Sequence, residues 1–407
     1  MNNDAHFFAS CPRGLEQVLA KELLALAAPH VKAVDGGVHF SGAFTLGYAA
    51  NLHSRIASRI LWRVGLARYR AANADQDIYD ATHQLDWPAW FSVDRTLRVN
   101  VSAIKAPVKS LDFITLRIKD AICDVFRAHR ASRGQRPSID THAPDVRVHA
   151  FLTATDLTLY LDTSGEPLFK RGYRREAGEA PLRENLAAGM LALSGWTPEL
   201  PLLDPMCGSG TILCEAALIA ANRAPGVSRA FGFEKLLNFD ARAWNALRAD
   251  AIAKENKSIK SNIYGSDLRG DALELAHTNL AALGFESRVA LKQANVFEMP
   301  PPALSTELPT EPPGMSGGII VTNPPYGVRM EDRDALAAFY PELGDALKKR
   351  FSGWTAYILS SDMQLAKGIG LSASKRTPLF NGALECRLFE YKLVAGSMRK
   401  VKPAAPV

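Results

Sequence analysis

The segment Asn323-Pro324-Pro325-Tyr326 follows the apolar run Gly318-Ile-Ile-Val-Thr and combines an amide, two stiff prolines and a flat phenol. An exocyclic amine on an aromatic ring is a poor nucleophile, because its lone pair is delocalised into the ring. A strong base does not cure this. Two hydrogen-bond acceptors that hold the NH2 group do, because they let the lone pair point at an electrophile. The Asn323 side-chain oxygen can be one acceptor and the Pro324 carbonyl the other, with Pro325 stiffening the loop. Tyr326 offers a face for a base drawn out of its helix. The gain is mainly proximity and orientation for an in-line displacement. Asn, Pro and the following Gly327 are also common turn residues, but this order at a strand end makes a plain turn the weaker reading.

A second segment supplies the electrophile's seat. Pro201-Leu-Leu-Asp204 runs into Pro-Met206-Cys207-Gly208-Ser-Gly210-Thr211 and then a helical pattern. Gly208 and Gly210 permit tight backbone angles, and the helix start offers free N–H groups. A dinucleotide fold would want a small residue where Leu213 stands, and a phosphate-binding P-loop would want a lysine after Gly210. An acid at the strand end, Asp204, repels a pyrophosphate and welcomes an ammonium. S-adenosylmethionine has both an ammonium and a carboxylate, so the turn suits that donor. Asp267 ends the next strand, where a carboxylate accepts from ribose hydroxyls. Its distance from the glycines exceeds the simple nucleotide fold, and a helical insertion from about Asn222 to Lys260 accounts for the excess. Helix capping alone is the blander role for both acids.

These segments need strands and helices to position them. From about residue 181 the two alternate as in a doubly wound parallel sheet. The strands are Pro201–Asp204, Ser261–Asp267, Val289–Ala294, Gly318–Thr322 and Trp354–Leu359. Leu384–Leu393 alternates cleanly and suits a last, antiparallel strand. Upstream, Pro12–Ala27 has helical periodicity, Gly37–Ser41 reads as a strand, and a helical segment runs through Asn51 and Ile60. Leu97–Ala103, Val146–Leu152 and Asp156–Asp162 read as strands. Asp112–Ala131 reads as an amphipathic helix with Phe113, Leu116, Ile118, Ala121, Ile122 and Val125 on or near its apolar face. The expected organisation is residues 1–65, 66–165, a linker 166–180 and a nucleotide-type domain 181–397.

Length and charge agree. At 407 residues, two or three domains are the natural expectation. No run of about 18 apolar residues occurs, and the start lacks a secretory pattern. Five scattered cysteines lack metal-ligand spacing and suit a reducing cytoplasm, with no disulfide framework and no metal. The net charge is +6, and residues 95–176 alone carry 15 Lys and Arg against 9 Asp and Glu, the same excess. A locally basic region fits a polyanion, although solvated helix faces would look similar.

DPMCGSGT, GSDLRGDALELAHTNL and NPPYGVR together resemble the class I methyltransferases that carry an N-terminal THUMP domain. Within them the chain most resembles the bacterial group that makes N2-methylguanine in 23S ribosomal RNA, whose members often bear the looser name N6-adenine-specific methylase. The likeness covers nearly the whole chain, with Arg171-Gly-Tyr-Arg174 as its looser N-terminal signature.

It implies a ferredoxin-like unit, then a THUMP domain, then a Rossmann-like domain whose seven-stranded sheet is mostly parallel with its last strand antiparallel. It implies S-adenosylmethionine held by Asp204, Met206, Cys207, Gly208, Gly210, Thr211, Asp267 and Leu268. Asn295 and Val296 follow the third strand, and Pro181 to Asn185 lies over the cofactor in relatives. Many relatives have an acid where Asn295 stands, so weaker charge assistance is expected here. Some members carry a second methyltransferase domain behind this one, and with the chain ending at Val407 that activity is expected to be absent.

RNA contacts are expected from Lys105, Lys109, the basic connector Arg171, Arg174 and Arg175, and Arg329 just after the catalytic loop. Cys207 is disfavoured as a nucleophile, because it sits inside the glycine turn with no basic partner. The histidines show no ligand spacing, and Trp87, Trp90 and Phe91 read as core. The leading expectation is guanine-N2 methylation of large-subunit ribosomal RNA. The same loop would serve a tRNA guanine methyltransferase, a DNA adenine methyltransferase or a protein glutamine methyltransferase. A non-catalytic RNA-binding assembly factor is the reading from another class. The oligomeric state, monomer or homodimer, is left open.

Overall fold

The computed structural model describes residues 4–174, 182–257, 262–302, 317–325 and 333–394. They form two compact units, one of residues 1–171 with 224–254 and one of 172–223 with 255–407.

The first unit contains β1 (Ala5–Ser10), α1 (Glu16–Ala25), β2 (Lys32–Val34), β3 (Gly37–Gly42), α2 (Phe44–His53), β4 (Arg59–Arg68), α3 (Ala74–His83), β5 (Leu97–Ala103), α4 (Leu111–Ala128), β6 (Val146–Leu152) and β7 (Asp156–Asp162). Its seven strands make one sheet in the order β2-β3-β1-β4-β7-β6-β5. The expected border at residue 65 falls inside β4, which pairs with β1 at one end and β7 at the other. The two portions expected to be ferredoxin-like and THUMP therefore share a sheet. Ile60, expected in a helix, pairs with Ala9 of β1, because α2 stops at His53 and Ser54 turns extended. Alternation delivers β6 as read: Val146, Val148, Ala150 and Leu152 are buried. On α4 the buried stripe runs through Ile114, Ile118, Ile122 and Phe126, leaving Phe113 and Leu116 about half exposed, against expectation. Ser110 caps that helix, its hydroxyl accepting from Phe113 N at 3.2 Å. Trp87 and Phe91 are fully buried core, as read.

The second unit contains α5 (Glu184–Ser194), β8 (Leu202–Asp204) and α6 (Thr211–Ala220). Next in sequence comes α7 (Ala241–Ala253), which belongs to the first unit. Then follow β9 (Ile263–Asp267), α8 (Gly270–Leu283), β10 (Ala290–Gln293), β11 (Ile319–Thr322), α9 (Arg333–Arg350), β12 (Thr355–Ser360), α10 (Met363–Gly368), β13 (Lys375–Asn381) and β14 (Leu384–Lys392). The sheet order is β10-β9-β8-β11-β12-β14-β13. All pairs among the first five strands are parallel, and β14 runs antiparallel to both its neighbours. The order reverses between β8 and β11, and in such sheets ligands bind beyond the carboxyl ends of strands at that reversal.

The insertion beyond Asn222 is read correctly as helical but folds with the first unit. Phe233, Phe239 and Trp244 gather on Tyr48 of α2, with Tyr48 and Phe233 ring centres 4.3 Å apart, and Phe231 packs behind them on Phe233 and Trp244. The Tyr48 hydroxyl accepts from Asp240 N at 2.9 Å, and Lys235 pairs with Asp145 at 2.6 Å.

Candidate cofactor and amine-binding site

Four strand ends of the second unit place the predicted residues together. Asp204 closes β8, Asp267 closes β9, Asn295 follows β10 and Asn323 follows β11. Leu213, too bulky for a dinucleotide fold, fits because Gly265 faces it; a Cβ there would meet the Leu213 side chain at 2.3 Å.

Asp204 is 2% exposed. Its Oδ1 accepts from the Thr322 hydroxyl at 2.8 Å and from Met206 N at 3.3 Å. Burial outweighs those two bonds, and with the nearby Asp267 charge it pushes the carboxyl up to about 7. Among the described residues no cation pairs with it. A buried carboxyl in that state would be stabilised by an incoming ammonium.

Gly210 has φ +76° and packs against Ala276, where a Cβ would sit 3.0 Å from Ala276 Cβ. Gly208 has φ +52°, yet a Cβ there would meet nothing within 4 Å. Gly210 is thus needed for packing, and Gly208 borders open space where a ligand's backbone-like portion can approach. The turn is further pinned by Cys207 N to Ser266 O at 2.9 Å and by Asn279 Nδ2 to Ser209 O at 2.9 Å. Burial, then the charges of Asp204 and Asp267, push the Cys207 thiol far above its ordinary range, which removes it as a nucleophile.

The Asp267 carboxylate accepts from Gly208 N at 2.9 Å through Oδ2 and from Arg269 N at 3.0 Å through Oδ1. It orients the glycine turn and keeps further lone pairs for a diol. Leu268 beside it is 66% exposed, and Gln293 Nε2 holds the Leu268 carbonyl at 3.0 Å. Asn295 Oδ1 accepts from Phe297 N at 3.0 Å, while Val296 is buried. The Asn295 oxygen thus also caps its own turn, a use not foreseen from the sequence. Thr211 is buried in the first turn of α6, and Asn185 is fully buried in α5. A buried acid awaiting a cation, an open glycine cradle, a diol-competent acid and an exposed apolar side chain match the donor set S-adenosylmethionine requires.

The acceptor loop adjoins this cradle. Thr322, which bonds Asp204, immediately precedes Asn323. The Asn323 Oδ1 is buried and has no hydrogen-bond partner among the described residues, an arrangement that costs free energy unless a ligand completes it. Pro324 is buried and Pro325 exposed, and the Pro325 carbonyl accepts from Tyr340 OH of α9 at 3.4 Å. Pro181, Tyr326, Arg175 and Arg329 lie outside the described residues.

Two RNA expectations are corrected. Arg171 is only 7% exposed, and its guanidinium donates at 2.6 Å to the carbonyls of Leu168 and Arg55. Arg174 donates to the Thr211 hydroxyl at 2.6 Å and to the Leu182 carbonyl at 2.9 Å, with Glu184 at 3.8 Å. Both arginines are engaged by carbonyls and hydroxyls of their own unit. Lys105 and Lys109 are exposed in the loop between β5 and α4.

Sequence reading missed Thr322, Asn279 and Arg174 as supports of the turn. Thr322 carried a signal, being the lone polar residue of an otherwise apolar strand; Arg174 carried none, because basicity alone does not tell an RNA contact from an internal strut.

This sheet order, with acids ending β8 and β9 and an amide loop after β11, defines a class I methyltransferase domain. Residues 171–390 match the family described as the RMKL-like methyltransferase domain, residues 6–61 the RlmL ferredoxin-like domain and residues 72–162 the THUMP domain. The chain belongs to the RMKL-like methyltransferase family. It is 40% identical over 408 residues to the ribosomal RNA large subunit methyltransferase K/L of Aeromonas salmonicida, covering 98% of this chain and 56% of that protein. The chain thus spans little more than half the length of such relatives. A candidate RNA methyltransferase of Synechocystis sp. is 38% identical, covering 95% of this chain and 96% of its own. A crystal structure of a candidate methyltransferase complexed with S-adenosylhomocysteine superposes with a TM-score of 0.83 at 29% identity, covering 98% of this chain and 100% of that one. A candidate methylase of Clostridium difficile 630 gives 0.85 at 28%, covering 98% and 100%. Among the described residues no helix is long and apolar enough to cross a membrane, and no metal-ligating cluster occurs.

Proposed function

We propose that this chain binds S-adenosylmethionine and methylates the exocyclic N2 amine of a guanine in RNA, in the large-subunit ribosomal RNA of a bacterial cytoplasm. The observation that carries the reading is the buried, unpartnered Asn323 Oδ1 one residue from the Thr322–Asp204 bond. That bond couples the strand that would hold the donor to the loop that would hold the acceptor.

When bound, the cofactor supplies an electrophilic methyl on a sulfonium. Asp204 would hold the ammonium, Asp267 the ribose and the Gly208 turn the methionine portion, with Leu268 and Val296 as the apolar residues offered to the adenine. Asn323 Oδ1 accepts one N–H of the base and the Pro324 carbonyl the other, with Tyr326 as the stacking face. Held so, the amine nitrogen would present its lone pair to that methyl, and the extra proton of the methylated amine would pass to solvent. The loop supplies orientation, not basicity. RNA as substrate is supported by the THUMP match and by the names of relatives. Lys105 and Lys109, exposed between β5 and α4, are assigned to it.

The test is methyl transfer by purified protein to ribosomal RNA, read by mass spectrometry of nucleosides. N2-methylguanosine is expected from the wild type and none from Asn323→Ala, with cofactor affinity little changed. N6-methyladenosine would overturn the guanine assignment, and an Asn323→Ala variant as active as wild type would overturn the site.

A further inference from the structure

The first unit carries a cavity that the site above does not use. Side chains alternate along its sheet. Phe7, Ala9, Val38 and Phe40, each at most 2% exposed, fill the face packed by α1 and α2. His6, Phe8, Lys32, His39 and Ser41 fall on the other face, since His6 pairs with Ser41, Phe8 with His39 and Lys32 with His39. Arg63 of β4, paired with Tyr160 of β7, continues the row.

There a cavity of about 280 Å³ has His6, His30, Lys32, His39, Arg63 and Tyr160 in its wall, completed by Ser41 and by parts of Phe7 and Phe40, with no acidic residue among them. The acid two residues along β7 from Tyr160 is Asp162, which is buried and engaged by Arg59 and by His149. Burial, then the charges of Arg63 and Lys32, hold the His39 imidazole below its ordinary range. Among the described residues no ion pair joins Lys32 or Arg63 to an acid, so the wall of the cavity is net basic. Aromatic surface adjoins them: the Phe8 ring centre lies 4.9 Å from that of His39 and 6.2 Å from that of Tyr160. Concave positive charge takes an anion, and rings beside it take a flat base.

We propose that this cavity on the ferredoxin-like half binds a phosphodiester of RNA, with an unpaired base laid along the Phe8–His39 pair. The inference rests on the RNA reading above but places a contact on β1 to β4, away from the loop of Lys105 and Lys109. The backbone charge of RNA suits Lys32 and Arg63, and the rings give single-stranded RNA an advantage over a bare anion.

Binding of a short fluorescent oligouridine to the full chain, followed by anisotropy between about 50 and 300 mM salt, tests it. Each phosphate contact on a single strand contributes a salt slope of about 0.7, or roughly fivefold in affinity at 0.1 M salt. Lys32→Gln and Arg63→Gln should each weaken binding about fivefold, and the double variant about 25-fold with a slope lower by about 1.4. Cofactor affinity and melting temperature should hold. Wild-type affinity and slope in the double variant would overturn the cavity's role, while Lys105→Gln with Lys109→Gln still weakening binding would leave the RNA reading standing. A wild-type chain that bound no RNA would sink both. If millimolar inorganic phosphate displaced the oligouridine from wild type as fully as unlabelled RNA does, the cavity would be a small-anion site and the RNA assignment would fall.

Discussion

Cofactor affinity should rise with pH through neutrality, and Asp204 is the reason. Its carboxyl, pushed up to about 7 by burial, must be ionised to receive an ammonium. With a pKa near 7, roughly one carboxyl in eleven is ionised at pH 6 and half at pH 7, so affinity should rise about fivefold over that interval. Above about pH 7.7 a free α-amino group begins to lose its own proton, so the profile should flatten and then fall. Asp204→Asn should bind weakly and lose the acid limb, because no charge remains to titrate. Isothermal calorimetry across pH 5.5 to 8.5, in buffers matched for ionic strength, gives the profile. An affinity flat between pH 6 and 7, or an acid limb that survives Asp204→Asn, would refute the assignment of Asp204 to the ammonium.

The same carboxyl sets a stability trend. Its folded value lies above the ordinary 3.8, so the folded state holds the proton longer and ligand-free stability should fall as pH rises from about 4 to 7. At about 1.4 kcal/mol per pH unit the effect is on the order of 4 kcal/mol, and Asp204→Asn should melt higher than wild type above pH 7. Gly208→Ala should cost only about 1 kcal/mol of stability for its positive φ, yet weaken cofactor binding at least about tenfold by filling the cradle. Gly210→Ala should instead cost about 1–3 kcal/mol in chemical denaturation, because Ala276 blocks its Cβ. Arg174→Ala should lower stability by about 2–3 kcal/mol and loosen the cofactor, with RNA affinity unchanged; weakened RNA binding in a normally folded variant would restore it as a contact.

Much of the second unit was legible because its signals are local. Apolar runs ending in Asp204, Asp267 and Asn323 announce strand ends, and the glycines after Asp204 announce a helix start. β13 was missed: Lys375–Asn381 carries mixed polarity and a proline, as a sheet-edge strand tolerates. In the first unit β1 and β4 were missed, because a short strand's identity lies in its partners. Ile60 looks helical until Ala9 is beside it. The insertion was visible as a helix, but its home with Tyr48 depends on contacts separated by nearly two hundred residues. At the site, the acids and the amide loop could be read from residue type and position. The Thr322–Asp204 bond could not, nor the burial of Arg171, since neither follows from spacing along the chain.

Donor and acceptor seats are proposed to share one pocket at the ends of β8 and β11. A crystal structure of the chain with S-adenosylmethionine tests this most directly. The expected result is the ammonium on Asp204, the ribose on Asp267 and the methyl carbon roughly 5 Å from Asn323 Oδ1, leaving room for one amine nitrogen between them. A donor bound elsewhere, or one whose methyl points away from Asn323, would contradict it.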